Sequence, residues 1–289
     1  MSNINPLRYP GGKAKLVNYI QDLIIDQNLS DAIILEPYAG SASVSLSLLG
    51  NNVLQNAILV ERDPLIYAFW YSVFNHCDEL IEKINTLQIT LDTWNDFLIY
   101  KSDNVLNKYN IVDIGLSGLF FNRTSFSGIL KAGPIGGFTQ SSKYKIDCRF
   151  NKFRIINQIQ QLSELQNRIT ICYDDALNFF RTYRPKLMKQ NIFVYIDPPY
   201  YEKGPSLYRY WYKHNDHKNL SKFIQRFKKP WLISYDDHKE IRNLYRNSTA
   251  LQPIYFDYSI AGSRKGKELL ISNLEIPPFS QILYENNLA

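Results

Sequence analysis

The apolar run Ile192-Phe193-Val194-Tyr195-Ile196 is followed directly by Asp197-Pro198-Pro199-Tyr200. The tetrapeptide carries a carboxylate, a backbone carbonyl whose next residue has no N–H, and an aromatic ring. The Asp197 carboxylate and the Pro198 carbonyl can accept the two hydrogens of an amino group, while Tyr200 offers a face for stacking. Holding a planar, amine-bearing ring is the chemistry this set suits. An ordinary strand-ending turn competes with that reading, because Asp and Pro are common turn residues.

Other carboxylates stand at similar places. Glu36-Pro37-Tyr38-Ala39-Gly40-Ser41-Ala42-Ser43 is a turn of mostly small residues, through which backbone can approach a ligand closely. It lacks the Gly-x-Gly-x-x-Gly dinucleotide fingerprint, and no P-loop is present, so a cradle for a nucleoside without pyrophosphate is expected. Some twenty residues on, Glu61 is placed to accept hydrogen bonds from both hydroxyls of a ribose. A surface glutamate is the plainer alternative. Near the N-terminus, Arg8-Tyr9-Pro10-Gly11-Gly12-Lys13 allows a tight turn that brings an ammonium towards a carboxylate or phosphate.

These residues need a scaffold. Ile192 to Ile196 is too short for a helix, is rich in β-branched and aromatic residues, and is stopped by prolines: a buried parallel strand. Ligands in open α/β sheets bind beyond the carboxyl ends of such strands. Ile33-Ile34-Leu35 and Ala57 to Val60 read as further strands, with a helix from Ser43 to Leu49 between them and Pro64 opening the next helix. Asp78 to Asn122 is helical and strand-poor. Arg123 to Arg149 is the longest irregular stretch, rich in Gly, Ser and Lys, as functional loops are. Strands resume at Ile169 to Cys172 and Trp231 to Ser234, and Leu251 to Tyr258 with Leu269 to Leu274 reads as a closing antiparallel pair. A doubly wound sheet with a helical, basic insert follows.

The chain has 289 residues and a net charge of +6. Basic residues exceed acidic ones by six from Phe121 to Arg154 and again by six from Tyr201 to Trp231, so the remainder is acidic. Tyr200, Tyr201, Tyr208, Tyr210, Trp211 and Tyr212 interleave with the second segment, a mixture suited to stacking bases beside phosphates. A solvated surface is the alternative for charge alone. The three cysteines are widely spaced and the four histidines show no ligand spacing, so neither a disulfide framework nor a metal site is expected. No apolar run reaches the ~18 residues of a membrane span, nor is there a signal pattern, so a soluble cytoplasmic protein is expected.

Taken in order, these motifs resemble the DNA adenine methylases that use S-adenosylmethionine, over nearly the whole chain. Arg8 to Lys13 is similar to that family's N-terminal cofactor motif, Glu36 to Ser43 to its nucleoside loop, and Glu61-Arg62-Asp63-Pro64 to its acidic ribose motif. Asn122-Arg123-Thr124-Ser125-Phe126-Ser127-Gly128 resembles the start of its target-recognition region, Asp197-Pro198-Pro199-Tyr200 its catalytic motif, and Ser263 to Asn273 its C-terminal segment. The resemblance implies a Rossmann-like, mostly parallel α/β fold. Residues 1–73 and 167–289 would form the catalytic domain, and residues 74–166 an inserted, mainly helical DNA-recognition domain. It implies cofactor contacts from Tyr9, Lys13, Glu36, Gly40, Glu61 and Asp197, catalysis by Asp197, Pro198 and Tyr200, and no metal. Double-stranded DNA is the implied partner, met by Arg123, Lys131, Lys143, Lys145 and Arg149. A monomer or weak dimer is expected, with a cognate restriction endonuclease as a candidate partner.

Two departures from the family pattern are Ala42, where a second glycine is common, and Lys131-Ala132-Gly133-Pro134, where an arginine-bearing stretch is expected. Methyl transfer to cytosine N4, RNA or a protein amide stays open, as does a catalytically silent DNA-binding protein. A nicotinamide oxidoreductase is disfavoured by the missing glycine fingerprint.

Overall fold

The computed structural model describes residues 5–8, 13–102, 104–258 and 264–279. After α1 (Val17–Asp26) the chain enters β1 (Ile33–Glu36), crosses over through α2 (Ser43–Gly50) and returns in β2 (Asn56–Glu61). Helix α3 (Pro64–Asn75) starts where Pro64 predicts it, because the Asp63 side chain caps its first turn by accepting from the Leu65 N–H. Four more helices precede the next strand: α4 (Cys77–Thr86), α5 (Leu91–Phe97), α6 (Ile111–Thr124) and α7 (Lys152–Ser163). Then come β3 (Ile169–Tyr173), α8 (Ala176–Lys189), β4 (Ile192–Ile196), the short α9 (Gly204–Leu207) and α10 (His214–Ile224). Strand β5 (Trp231–Asp236), α11 (Lys239–Leu244) and the hairpin strands β6 (Ala250–Tyr258) and β7 (Arg264–Ser272) complete the fold.

The strands form one seven-stranded sheet in the order β3-β2-β1-β4-β5-β7-β6. The first five are parallel, while β7 runs antiparallel to both β5 and β6. Every residue of β4 is buried, which explains its unbroken apolar run: a central strand is covered on both faces. Pro253, which cannot donate to a ladder, lies in β6 at the sheet's edge. The order reverses between β1 and β4, so their carboxyl ends, Glu36 and Asp197, flank the topological switch point.

The helices between β2 and β3 share one hydrophobic core with α1, α2 and one face of the sheet. Helix α6 lies against α3 at a distance only glycine permits, since a Cβ at Gly118 would sit 2.4 Å from the Leu65 carbonyl oxygen. Trp94 packs edge-on against Phe121, ring centroids 4.9 Å apart, and joins α5 to that pair. Between α6 and α7 the chain has no strand and only one short 3₁₀ turn, Phe126–Gly128. Gln140 organises this stretch, its side chain donating to the Ile135 carbonyl and accepting from the Ile146 N–H, each at 2.8 Å.

Candidate active site

Asp197 leaves the end of β4 beside two neighbours that fix it. Its Oδ1 lies 2.9 Å from Lys13 Nζ and accepts from Ser234 Oγ, on β5, at 2.9 Å. Lys13 is only 5% exposed and also faces Glu268 Oε2, on β7, at 3.5 Å. The Tyr200 hydroxyl closes the network, accepting from Lys13 at 3.1 Å and donating to Glu268 Oε1 at 2.9 Å. Two carboxylates thus share one buried ammonium. Burial works against the Lys13 charge, but Asp197 and Glu268 outweigh it and hold the Lys13 pKa well above its usual value. Burial raises the Asp197 pKa, with Lys13 pulling the other way.

The loop from Glu36 to Ser43 is braced by carboxylates from two strand ends. Glu36 Oε1 accepts from the Ser45 N–H in the first turn of α2 at 2.6 Å. Glu61 Oε2 accepts from the Gly40 N–H at 2.8 Å and Oε1 from the Asp63 N–H at 2.7 Å. Gly40 has φ +47° and its carbonyl accepts from the Trp70 indole at 2.8 Å, which locks the turn. Ala42, the departure from the family pattern, stands in the left-handed region at φ +48°, a conformation that favours glycine. One cavity runs from this loop past Glu61 to Asp197 and Pro199.

Burial pushes Glu36 and Glu61 up to about 7 from an ordinary 4.5. Between those values the folded chain holds protons that the unfolded chain has lost. The stability contributed is therefore full below about pH 4.5 and disappears as pH rises through about 7. Denaturant midpoints measured across that window should fall more steeply for the parent than for Glu36→Gln. Parallel curves would contradict the assignment for Glu36.

The segment after Tyr200 crosses the cavity as a strap. The Tyr201 and Glu202 N–H groups donate to Asp236 at 2.9 and 3.2 Å, and Tyr208, Arg209, Tyr210 and Tyr212 line the cavity. Arg209, counted in the sequence with the basic segment, pairs instead with Asp63 at 2.8 Å and donates to the Lys101 carbonyl. Three of the four histidines gather around Tyr201: His238 stacks on it at 4.4 Å, His217 lies at 5.0 Å, and His214 Nδ1 meets its hydroxyl at 2.9 Å.

Across residues 9–257 the chain matches the family of D12 class N6 adenine-specific DNA methyltransferases. The chain belongs to that family. No curated protein matches it. As an adenine-specific DNA methyltransferase it has a Rossmann-like sheet that places the Asp197 tetrapeptide and the Gly40 loop on the same cavity. Of the expected site residues, the structure brings together Lys13, Glu36, Gly40, Glu61 and Asp197. Tyr9 lies outside the described residues.

None of the methyltransferase's expected DNA-facing residues lines that cavity. Lys143, Lys145 and Arg149 are exposed on the Gln140 loop, and Lys145 donates to the Gln140 carbonyl. Lys131 donates to the Pro205 carbonyl, joining this loop to the strap. Arg123 is half-buried in the last turn of α6. Ser234, Asp236, Arg209 and Glu268 are site residues that sequence reasoning passed over. Glu268 alone left a signal, as an isolated acid entering the apolar run Leu269-Leu270-Ile271. No described helix is long and apolar enough to cross a membrane, and no described cluster has the make-up of a metal site.

Proposed function

We propose that this methyltransferase moves the methyl group of S-adenosylmethionine to N6 of adenine in double-stranded DNA. The observation that carries the reading is one cavity at the β1–β4 switch point that both Asp197 and the Gly40 loop with Glu61 line. The residues present suit the cofactor: Gly40, without a side chain, leaves room for a nucleoside against the loop, and Glu61 retains lone pairs for ribose hydroxyls beyond those its backbone donors occupy. When bound, its sulfonium supplies an activated methyl group.

The chain's own groups then supply alignment. Adenine N6 is a weak nucleophile because its lone pair is delocalised into the ring. Lys13 and Ser234 address Asp197 Oδ1, which leaves Oδ2 to accept one N6 hydrogen while the Pro198 carbonyl accepts the other. Both acceptors draw the lone pair out of the ring and towards the methyl group, a matter of positioning and electrostatics without a covalent enzyme intermediate. As the N6–methyl bond forms the methyl–sulfur bond would break, S-adenosylhomocysteine would leave, and the surplus N6 proton would pass to solvent. Tyr200, fixed through its hydroxyl, offers a stacking face to a base that has left the duplex. Residues 74–166 act as the target-recognition region in this reading, with Arg123, Lys131, Lys143, Lys145 and Arg149 meeting DNA.

Calorimetric titration tests the cofactor half. The parent protein should bind S-adenosylmethionine, and Glu61→Ala should bind it about 10- to 100-fold more weakly, the worth of one or two charge-assisted hydrogen bonds. Equal affinity in the two proteins would remove Glu61 from the site.

A further inference from the structure

We propose that Arg8, Arg123, Arg149 and Arg154 form a receptor for one phosphodiester of the bound DNA, set beside the active-site cavity. The proposal rests on the DNA methyltransferase reading and adds the particular group of the substrate that this cluster holds.

Arg8 is fixed against the end of α6. Asn122, fully buried, accepts from the Arg8 N–H and donates to its carbonyl, both at 2.7 Å. Gly128 keeps the approach open: at φ +77°, a Cβ there would lie 2.6 Å from the Arg8 carbonyl oxygen and 3.1 Å from its Cβ. The same glycine lines the active-site cavity. Arg123 follows Asn122 directly, so Arg8 and Arg123 are anchored at the same turn of α6.

That turn holds donors without acceptors. Arg8 Nη1, Arg123 Nε and Ser125 Oγ are buried and lack a hydrogen-bond partner among the described residues. The arginine ion pairs among those residues belong to Arg62, Arg209 and Arg242, none to this cluster. Repulsion is felt inside it. Burial and Arg149 lower the Arg8 pKa, while burial, Arg8 and Arg154 bring Arg123 down to about 10. Arg149 and Arg154 are exposed, so the cluster opens to solvent at its rim. The favourable dipole at the end of α6 accounts for one cation there, but not for four.

Buried donors with no acceptor and like charges held together are costly in the free protein. A phosphate oxygen pair relieves both, since guanidinium forks bind it bidentately. Beside a cavity for a DNA base, a phosphodiester is the anion at hand.

The test uses the full chain. With duplex DNA, Arg123→Gln and the rim variant Arg149→Gln should each bind about tenfold more weakly, with the salt slope reduced by about one. Without DNA, Arg123→Gln should melt no lower than the parent, because it sheds repulsion; inorganic sulfate should raise the melting temperature of the parent and not of this variant. Neutral methylphosphonate placed at successive positions should reveal one phosphate whose loss weakens the parent but not Arg123→Gln. Unchanged affinity and slope in Arg149→Gln, or methylphosphonate penalties that add to Arg123→Gln at every position, would overturn the proposal. Should the parent nonetheless methylate adenine, the failure would belong to the phosphate receptor and not to the enzyme reading.

Discussion

Asp197→Ala is expected to lower methyl transfer to adenine about 10³-fold while DNA binding stays within about threefold of the parent. The size follows from what the carboxylate does. In the proposed mechanism it orients N6, and its attraction for the amine strengthens as the amine becomes positive in the transition state, so its removal is felt in turnover more than in binding. The fold should survive, because Lys13 keeps Glu268 and Tyr200 as partners. Asp197→Asn separates the two contributions. It preserves the shape but loses the charge, and half of its orientations present an amide N–H₂ to Lys13. A rate between parent and Ala is expected, read from single-turnover kinetics at saturating cofactor. Parent-like turnover in Asp197→Ala would remove the residue from the mechanism.

The second large effect is on stability. Lys13→Met should cost about 3–5 kcal/mol, the usual consequence of removing one partner from a buried ion pair. The methionine fills the space of the lysine stem, but Asp197 and Glu268 are left facing one another without the ammonium that both contact. Burial and the Glu268 charge already raise the Asp197 pKa, and without Lys13 the main pull the other way is gone. Stability of the variant is then fully present at low pH and lost as pH rises through the raised values. The melting temperature of Lys13→Met should therefore climb towards the parent's as pH is lowered from 8 to about 5. A deficit that stays constant across that range would place its cause outside the carboxylate pair.

What the sequence discloses about this site depends on how far apart its parts lie in the chain. Residues whose places follow from a strand and the turn after it are legible: Asp197 after five apolar residues, Gly40 in a small-residue turn, Glu61 closing a strand, Pro64 after its cap. So are the alternation of strands and helices and the helical stretch that interrupts it. Partners chosen by sheet order are not. Glu268 reaches Tyr200 because β7 is inserted between β5 and β6, and no periodicity in either strand announces that insertion. Ser234 meets Asp197 for a similar reason, β4 and β5 being neighbours in parallel register.

Charge counting has a comparable limit. Arg209 adds to the basic excess of its segment, yet it answers Asp63 across the cavity, a pairing between residues far apart in sequence. Composition reports how much charge a segment carries and says nothing of which charges are already matched. The histidines make the same point from the other side. Their spacing looks scattered, but the turns after β4 and β5 and the start of α10 bring three of them to Tyr201.

In the proposed mechanism Asp197 presents adenine N6 to a methyl donor held by the Gly40 loop and Glu61. The decisive experiment incubates duplex DNA with the protein and S-adenosylmethionine, digests it to nucleosides and resolves them by mass spectrometry. N6-methyladenine with the parent protein, and about 10³-fold less of it from Asp197→Ala in the same time, is the expected result. N4-methylcytosine, or unmodified DNA from a parent protein that binds the cofactor, would contradict it.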